Sequence, residues 1–352
     1  MSLASEICQS PATAADVARV AGVSTATVSR FMNSPDLLAR DTRQSVLGAI
    51  KQLNYRPNLA ARNLAGGSTD CLGLILPELG GPFFSELLAG VEETTREAGY
   101  HLLVAGTEPH EAFPLVFPSL DRQFVDGTIV FPHTLWPGMI ENLAGHPVVL
   151  VEASHRSLPT VAFDASVGVR EAIRHLVCDH GCRSIACFAG PVGAEASRWR
   201  EEAYAHELKS LGLEADPDLL IRGEWSECAG MQMFEQLLAQ GRCFDAIFSV
   251  NDEMAIGAIR AMERAGLRAP DDVRVCGFDD IPLARWMRPA LTTVAAPPRT
   301  LGRTAAEILL ARIAGRSMPS AVRIPTFLIT RETCGCREEL DNERKTHYET
   351  TI

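Results

Sequence analysis

The chain has 352 residues, 46% hydrophobic and 22% charged, and a formal net charge of −11 at pH 7. That is ordinary for globular protein and leaves room for a small domain beside one or two larger ones. No run approaches ~18 uninterrupted apolar residues, and the N-terminus lacks a basic stretch followed by an apolar one, which argues against a membrane span or a secretion signal and points to the cytoplasm. Ten irregularly spaced cysteines in such a chain read as reduced thiols, not as a disulfide framework.

Charge is unevenly placed. Residues 1–66 hold seven Lys/Arg against four acids, whereas the remainder holds 26 against 40. A basic head on an acidic body suits a small DNA reader joined to something that does not touch DNA. Within the head, "DVARVAGVSTATVSRFMN" (16–33) carries Val17, Val20, Val28 and Phe31 at helical spacing in two short runs. Gly22 is placed to end the first helix with positive φ, and Ser24 to cap the second. Thr25, Ala26, Ser29, Arg30 and Asn33 then share the solvent side of the second helix, a set suited to base edges and phosphates in a major groove. A third helix from about Asp41 to Leu53, with Val46, Leu47, Ile50 and Leu53 inward, closes a three-helix core.

"YRPNLAARNLAGG" (55–67) opens with Pro57 and ends in two glycines, as a linker does. Asn58, however, can cap a short helix over Leu59–Leu64. Such a helix is too short to persist without support.

From Leu72 onward, apolar runs alternate with amphipathic stretches, the pattern of α/β layers with parallel sheets. The predicted strands are "LGLILP", "HLLVAG", "GTIVFP", "VVLVEA", "SIACFAG", "DLLIRG", "DAIFSV" and "VRVCGF". Ligands of doubly wound sheets sit beyond the carboxyl ends of strands. A search there finds Phe83, Phe84, His133, Glu152, Arg200, Trp225, Asn251 and Asp279. Flat aromatics with a few carboxylate, guanidinium and amide groups describe a pocket for a small polar ligand, sugars above all.

The motifs just read, with "TRQSVLGAIKQLNYRPN", "GLILPELGGPFFSELLAGVEE", "VNDEMAIGAIRAMERAGL", "VCGFDDIPLARWMRPALTTV" and "ITRE", resemble the lactose-repressor/galactose-repressor (LacI/GalR) family of bacterial regulators over about residues 13–335. The resemblance implies an all-α helix-turn-helix head and a two-lobed, periplasmic-binding-protein-like α/β effector domain. It places Thr25 and Ala26 at the base-reading positions, with Thr27, Ser29, Arg30 and Asn33 beside them. It makes 58–67 a hinge helix that pairs over the minor groove, with Asn58 and Ala61 in the DNA-contacting set and Leu64 wedged into a central base step. It also assigns effector contact to Glu152, Arg200, Trp225, Asn251 and Asp279, and adds Asp164 of "VAFDASVG" as a cleft aspartate. Two departures, "GGPFF" in place of Asn-Pro-Phe-Phe and "EPHEAFPLVFPSLDRQ" before "VDG", both fall on the first lobe.

The implied domains are 13–57 (head), 58–67 (hinge), 68–335 (effector binding and dimerisation) and a disordered tail at 336–352. The lobes run over about 68–165 with 298–325, and about 166–297. Expected partners are a palindromic double-stranded DNA operator, a small-molecule effector and a second copy of the chain, with no membrane. Tetramers of this family need a C-terminal leucine heptad, and the tail offers only Leu340. Arg200 is the single base in the set, against Glu152, Asp164 and Asp279. A neutral polyol is therefore favoured over a phosphorylated one, with a purine-like ligand on Phe84 second.

Zinc is not expected. "CDHGC" (178–182) and "CGC" (334–336) do not form two well-separated ligand pairs. Cofactor and nucleophile motifs are absent too, so the chain does not read as an enzyme. A transport solute-binding protein would share the α/β body, but the basic head and hinge favour a regulator, most simply a repressor.

Overall fold

The computed structural model describes residues 12–55, 68–107, 124–132 and 147–336. The expected hinge with Asn58, Ala61 and Leu64 lies outside these residues, as do His133 and the tail beyond Cys336. The chain divides into two compact units at Thr69/Asp70.

The first unit holds α1 (Ala14–Ala21), α2 (Thr25–Asn33), a 3-10 turn at Pro35–Leu37, and α3 (Arg40–Leu53). Thr13 and Asp16 form a reciprocal capping box that starts α1, and Gly22 ends it at φ 69°. Ser24 caps α2, its hydroxyl accepting from the Thr27 N–H at 3.1 Å. Val17, Ala18, Val28, Val46 and Ala49 are the buried core, with Phe31, Ile50 and Leu53 packed on it. Val20 and Leu47, expected inside, are 38% and 44% exposed. Ala18 and Ala49 take the buried positions instead, and Val20 and Leu47, each two residues or about 200° of helix rotation away, face outward.

The second unit has two six-stranded sheets. The first contains β1 (Cys71–Leu76), β2 (His101–Gly106), β3 (Gly127–Val130), β4 (Val148–Val151), β5 (Thr160–Asp164) and β11 (Ala321–Pro325). Its order is β11-β5-β4-β3-β1-β2 and every neighbouring pair is parallel. The second contains β6 (Ile185–Ala189), β7 (Leu220–Arg222), β8 (Ala246–Ser249), β9 (Arg274–Asp279), β10 (Thr292–Ala295) and β12 (Phe327–Ile329). Its order is β12-β10-β9-β8-β6-β7, with only the β12 edge antiparallel. Fully buried strands such as β4 and β6 explain the uninterrupted apolar runs.

Among the described residues the α-helices of this unit are α4 (Pro82–Glu97), α5 (Ala165–Arg174), α6 (Glu195–Ser210), α7 (Glu227–Ala239), α8 (Asp252–Arg264), α9 (Pro282–Trp286) and α10 (Pro298–Ile313). A π-helical turn, His175–Asp179, follows α5. Glycine sets one close approach: a Cβ on Gly90 of α4 would lie 2.0 Å from the Arg299 carbonyl oxygen of α10. That contact holds α10 on the first lobe. The chain thus crosses between lobes at Asp164–Ala165, at Ala295–Pro298 and at Pro325–Phe327. The last crossing returns Phe327–Ile329 to the second sheet, which the sequence reading did not include in that lobe.

Candidate functional site

On the head, Thr25, Ala26, Ser29 and Arg30 are exposed along α2. Thr27 is half-buried, and its hydroxyl lies 2.9 Å from Ser24 Oγ, so it completes the helix cap. Asn33 is the last residue of α2. The exposed set offers one cation, hydroxyls and a methyl on a single helix face, which is what reading base edges while holding phosphates requires.

In the body a cleft of about 450 Å³ lies between the two sheets, at the carboxyl ends of their strands. It is lined by Phe83, Phe84, Glu152, Arg200, Trp225, Asn251 and Asp279. Seven of the nine expected effector residues therefore meet. His133 lies outside the described residues. Asp164 does not join the lining: its Oδ1 accepts from the N–H and hydroxyl of Ser166, at 3.1 and 2.6 Å, and so caps α5 at the first lobe crossing. A short aspartate beside a helix start is captured by the free N–H groups there.

Arg200 is the centre of the polar arrangement. It is buried, donates to the Val250 carbonyl at 2.5 Å, and stacks its guanidinium 3.8 Å above the Phe278 ring. Its carboxylate partners are Glu152 Oε2 at 3.4 Å, across the cleft on the first lobe, and Asp279 Oδ1 at 3.6 Å on its own lobe. Glu152 also accepts from the Phe163 N–H at 2.7 Å. Asp279 Oδ1 is buried with no hydrogen-bond partner. Burial pushes the Glu152 carboxyl upward, the Arg200 charge opposing it, and pushes Asp279 up to about 7 against the same charge. Both acids sit at positive φ, 51° and 112°, backbone conformations uncommon outside glycine and concentrated at functional sites.

Trp225 closes the second-lobe side. Gly190 makes its place: a Cβ there would come within 2.6 Å of the indole. Asn251 caps α8, its Oδ1 accepting from the Met254 N–H at 3.0 Å, which turns its amide nitrogen toward the cleft and the Trp225 carbonyl. On the first lobe Phe83, Phe84 and Phe131 meet edge to face with centroids 5.2–6.0 Å apart. The lobes are also joined by Ser154, which donates through its N–H and hydroxyl to Glu195 at 2.6 and 2.7 Å. The Arg323 guanidinium stacks 4.3 Å from the Trp199 ring.

Sequence reasoning missed Phe131, Glu78, Glu195, Glu224 and Glu253, all of which line the cleft. Glu78 and Glu224 directly follow the runs "LGLILP" and "DLLIRG", and Phe131 stands next to last in "GTIVFP", so a search taking in the last residues of each run and the first beyond it finds them. Burial, with Glu78 and Glu227 nearby, lifts Glu253 to about 7.

Residues 13–58 match "Bacterial regulatory proteins, lacI family", and 173–334 match "Periplasmic binding protein-like domain". A ribose operon repressor of Halalkalibacterium halodurans is 32% identical over 93% of this chain and 98% of its own. The chain belongs to the LacI family. Other LacI-family relatives are the transcriptional repressor PurR of Photobacterium profundum, 34% identical over 86% of this chain and 92% of its own, and CytR of Escherichia coli, 32% over 90% and 94%. The Lac repressor dimer bound to operator and an anti-inducer matches over 92% of this chain and 99% of its own, with 30% identity and a TM-score of 0.81. A CelR–cellobiose complex matches over the same shares with a TM-score of 0.71. As a LacI-family member the chain is a DNA-binding transcriptional regulator and not an enzyme. No helix among the described residues is long and apolar enough to cross a membrane.

Proposed function

We propose that this regulator represses transcription as a homodimer on a palindromic operator and is controlled by a neutral polyhydroxyl effector, a sugar or sugar derivative, bound in the interlobe cleft. One head reads few base pairs, so two heads on a two-fold axis supply the rest. The observation that carries the effector class is charge. Glu78, Glu152, Glu195, Glu224, Glu253 and Asp279 line the cleft against Arg200, which already faces two of them. Among the described lining residues a phosphate ester finds no uncommitted cation, whereas sugar hydroxyls donate to carboxylates and a sugar face stacks on an indole. A purine-like ligand is the second reading, favoured by the Phe83–Phe84–Phe131 wall.

The test is thermal shift of the full chain with neutral sugars, nucleosides and their phosphate esters. Stabilisation by a neutral sugar supports the reading, and preferential stabilisation by a phosphate ester overturns it. Trp225→Ala is expected to weaken effector binding by roughly 1–3 kcal/mol while operator binding without effector persists. Calorimetric titration checks this, and an unchanged affinity moves the effector elsewhere.

Arg30→Ala is expected to weaken specific operator binding by roughly 1–3 kcal/mol through a lost base contact, or to lower the salt slope by about one through a lost phosphate contact. Effector affinity stays the same. Gel shift over a salt series, with effector titration alongside, tests both halves, and a parallel loss of effector binding would contradict separate modules.

A further inference from the structure

The sequence reading set "CDHGC" and "CGC" aside as metal ligands because neither offers a separated pair. The fold combines them differently. Cys178 is exposed and Cys182 is buried elsewhere, but His175, His180, Cys334 and Cys336 converge, all four ligand atoms within 4.8 Å of one another. His175 Nε2 lies 3.1 Å from His180 Nε2, 3.3 Å from Cys334 Sγ and 3.5 Å from Cys336 Sγ, and His180 Nε2 is 3.5 Å from Cys336 Sγ. Bond lengths of about 2.05 Å to nitrogen and 2.3 Å to sulfur in a tetrahedron require separations of about 3.3 Å for N···N and about 3.6 Å for N···S. The four distances match that frame. Hydrogen bonding alone does not account for it, since a single imidazole nitrogen directs one bond and His175 Nε2 faces three partners.

We propose that His175, His180, Cys334 and Cys336 form a structural site for one tetrahedral divalent cation, zinc by ligand class. Two thiolates and two neutral imidazoles cancel the ion's charge, which lets the group sit half-buried. The surroundings supply the supports that such ligands need. Asp179 Oδ2 accepts from His175 Nδ1 at 2.7 Å, fixing the ring with Nε2 free to coordinate. The Thr292 hydroxyl donates to Cys334 Sγ at 3.0 Å. Gly335, at φ 96°, turns the chain so that both cysteines flanking it face one point. The π-helical turn brings His175 and His180, five apart, onto one side.

Position defines the role. Cys334 is bonded to Thr292, which starts β10, and to Arg274, which starts β9; His180 precedes β6. The cleft lies at the other end of the same sheet, about 15–20 Å away along strands of this length. The ion therefore clips the segment after β12 onto the turn after α5 and does not touch the effector.

The experiment uses the full chain, reduced and metal-stripped, titrated with zinc or cobalt ions alone. One ion per chain is expected, with the visible bands of tetrahedral cobalt bound to thiolate, and a chelator lowers the melting temperature. Asp179→Asn keeps all four ligands and is expected to weaken affinity roughly 10- to 100-fold. Cys336→Ser weakens it further and removes the chelator's effect on melting, whereas the exposed-cysteine controls Cys228→Ser and Cys243→Ser change neither. Substoichiometric binding by the wild type, equal loss in the controls, octahedral cobalt spectra, or a Cys334–Cys336 disulfide that persists with metal present would each overturn the site.

Discussion

Arg200→Ala is expected to destabilise the body by about 3–5 kcal/mol near pH 8, the cost of leaving buried carboxylates without their cation. Glu152 and Asp279 are both buried in the native protein and face the guanidinium from opposite sides of the cleft. Their native carboxyls already titrate above the unfolded range, so between about pH 4 and pH 7 the folded state holds more protons than the unfolded one. Stability from these groups is therefore fully present at low pH and is lost as pH rises through the native value. Removing Arg200 raises both carboxyls further, extending that loss to higher pH. The gap between wild type and variant should widen from pH 5.5 to pH 8.5 in denaturant unfolding. A gap that stays constant or narrows would show that the guanidinium does not compensate these acids.

Leu64→Ala is expected to lower operator affinity by roughly 1–3 kcal/mol and to reduce the DNA bend, because the wedge that the family resemblance implies for Leu64 would offset an unstacking cost of a few kcal/mol. The head still folds, since its core of Val17, Ala18, Val28, Val46 and Ala49 excludes the hinge. Nonspecific binding, resting on phosphate neutralisation, changes little. We propose that effector acts by the same route: closing the cleft rotates the first lobes of the dimer relative to each other, and hinge pairing over the minor groove is gained or lost. Operator affinity and bend angle by gel shift, with and without effector, test it. A variant that bends its operator as the wild type does removes the wedge and the main support for coupling through the hinge.

The sequence by itself determined what depends on neighbours along the chain. Gly22 and Ser24 punctuate the head because positive φ and N-capping are decided within one turn. All eight predicted strands are present within a residue or two at each end, since an apolar run between turn signals has little alternative in a layered α/β body. The four unpredicted strands, β5, β10, β11 and β12, are the ones at and beside the lobe crossings, where polar residues such as Thr292, Thr293 and Arg323 interrupt the apolar signal.

Tertiary structure decided which groups meet across long stretches of chain. Arg200, placed in sequence beside Glu201 and Glu202, instead turns inward to Glu152 and Asp279, while Glu201 pairs with Arg222 and Glu202 with Arg198. Asp164, an effector ligand by resemblance, is taken by the start of α5. His175 and His180 find Cys334 and Cys336 about 160 residues away because β12 returns the C-terminal segment to the second sheet. Local propensity reaches only a few residues, whereas a ligand set or a buried ion pair is fixed by which strand ends the sheet brings together, and no spacing along the chain records that.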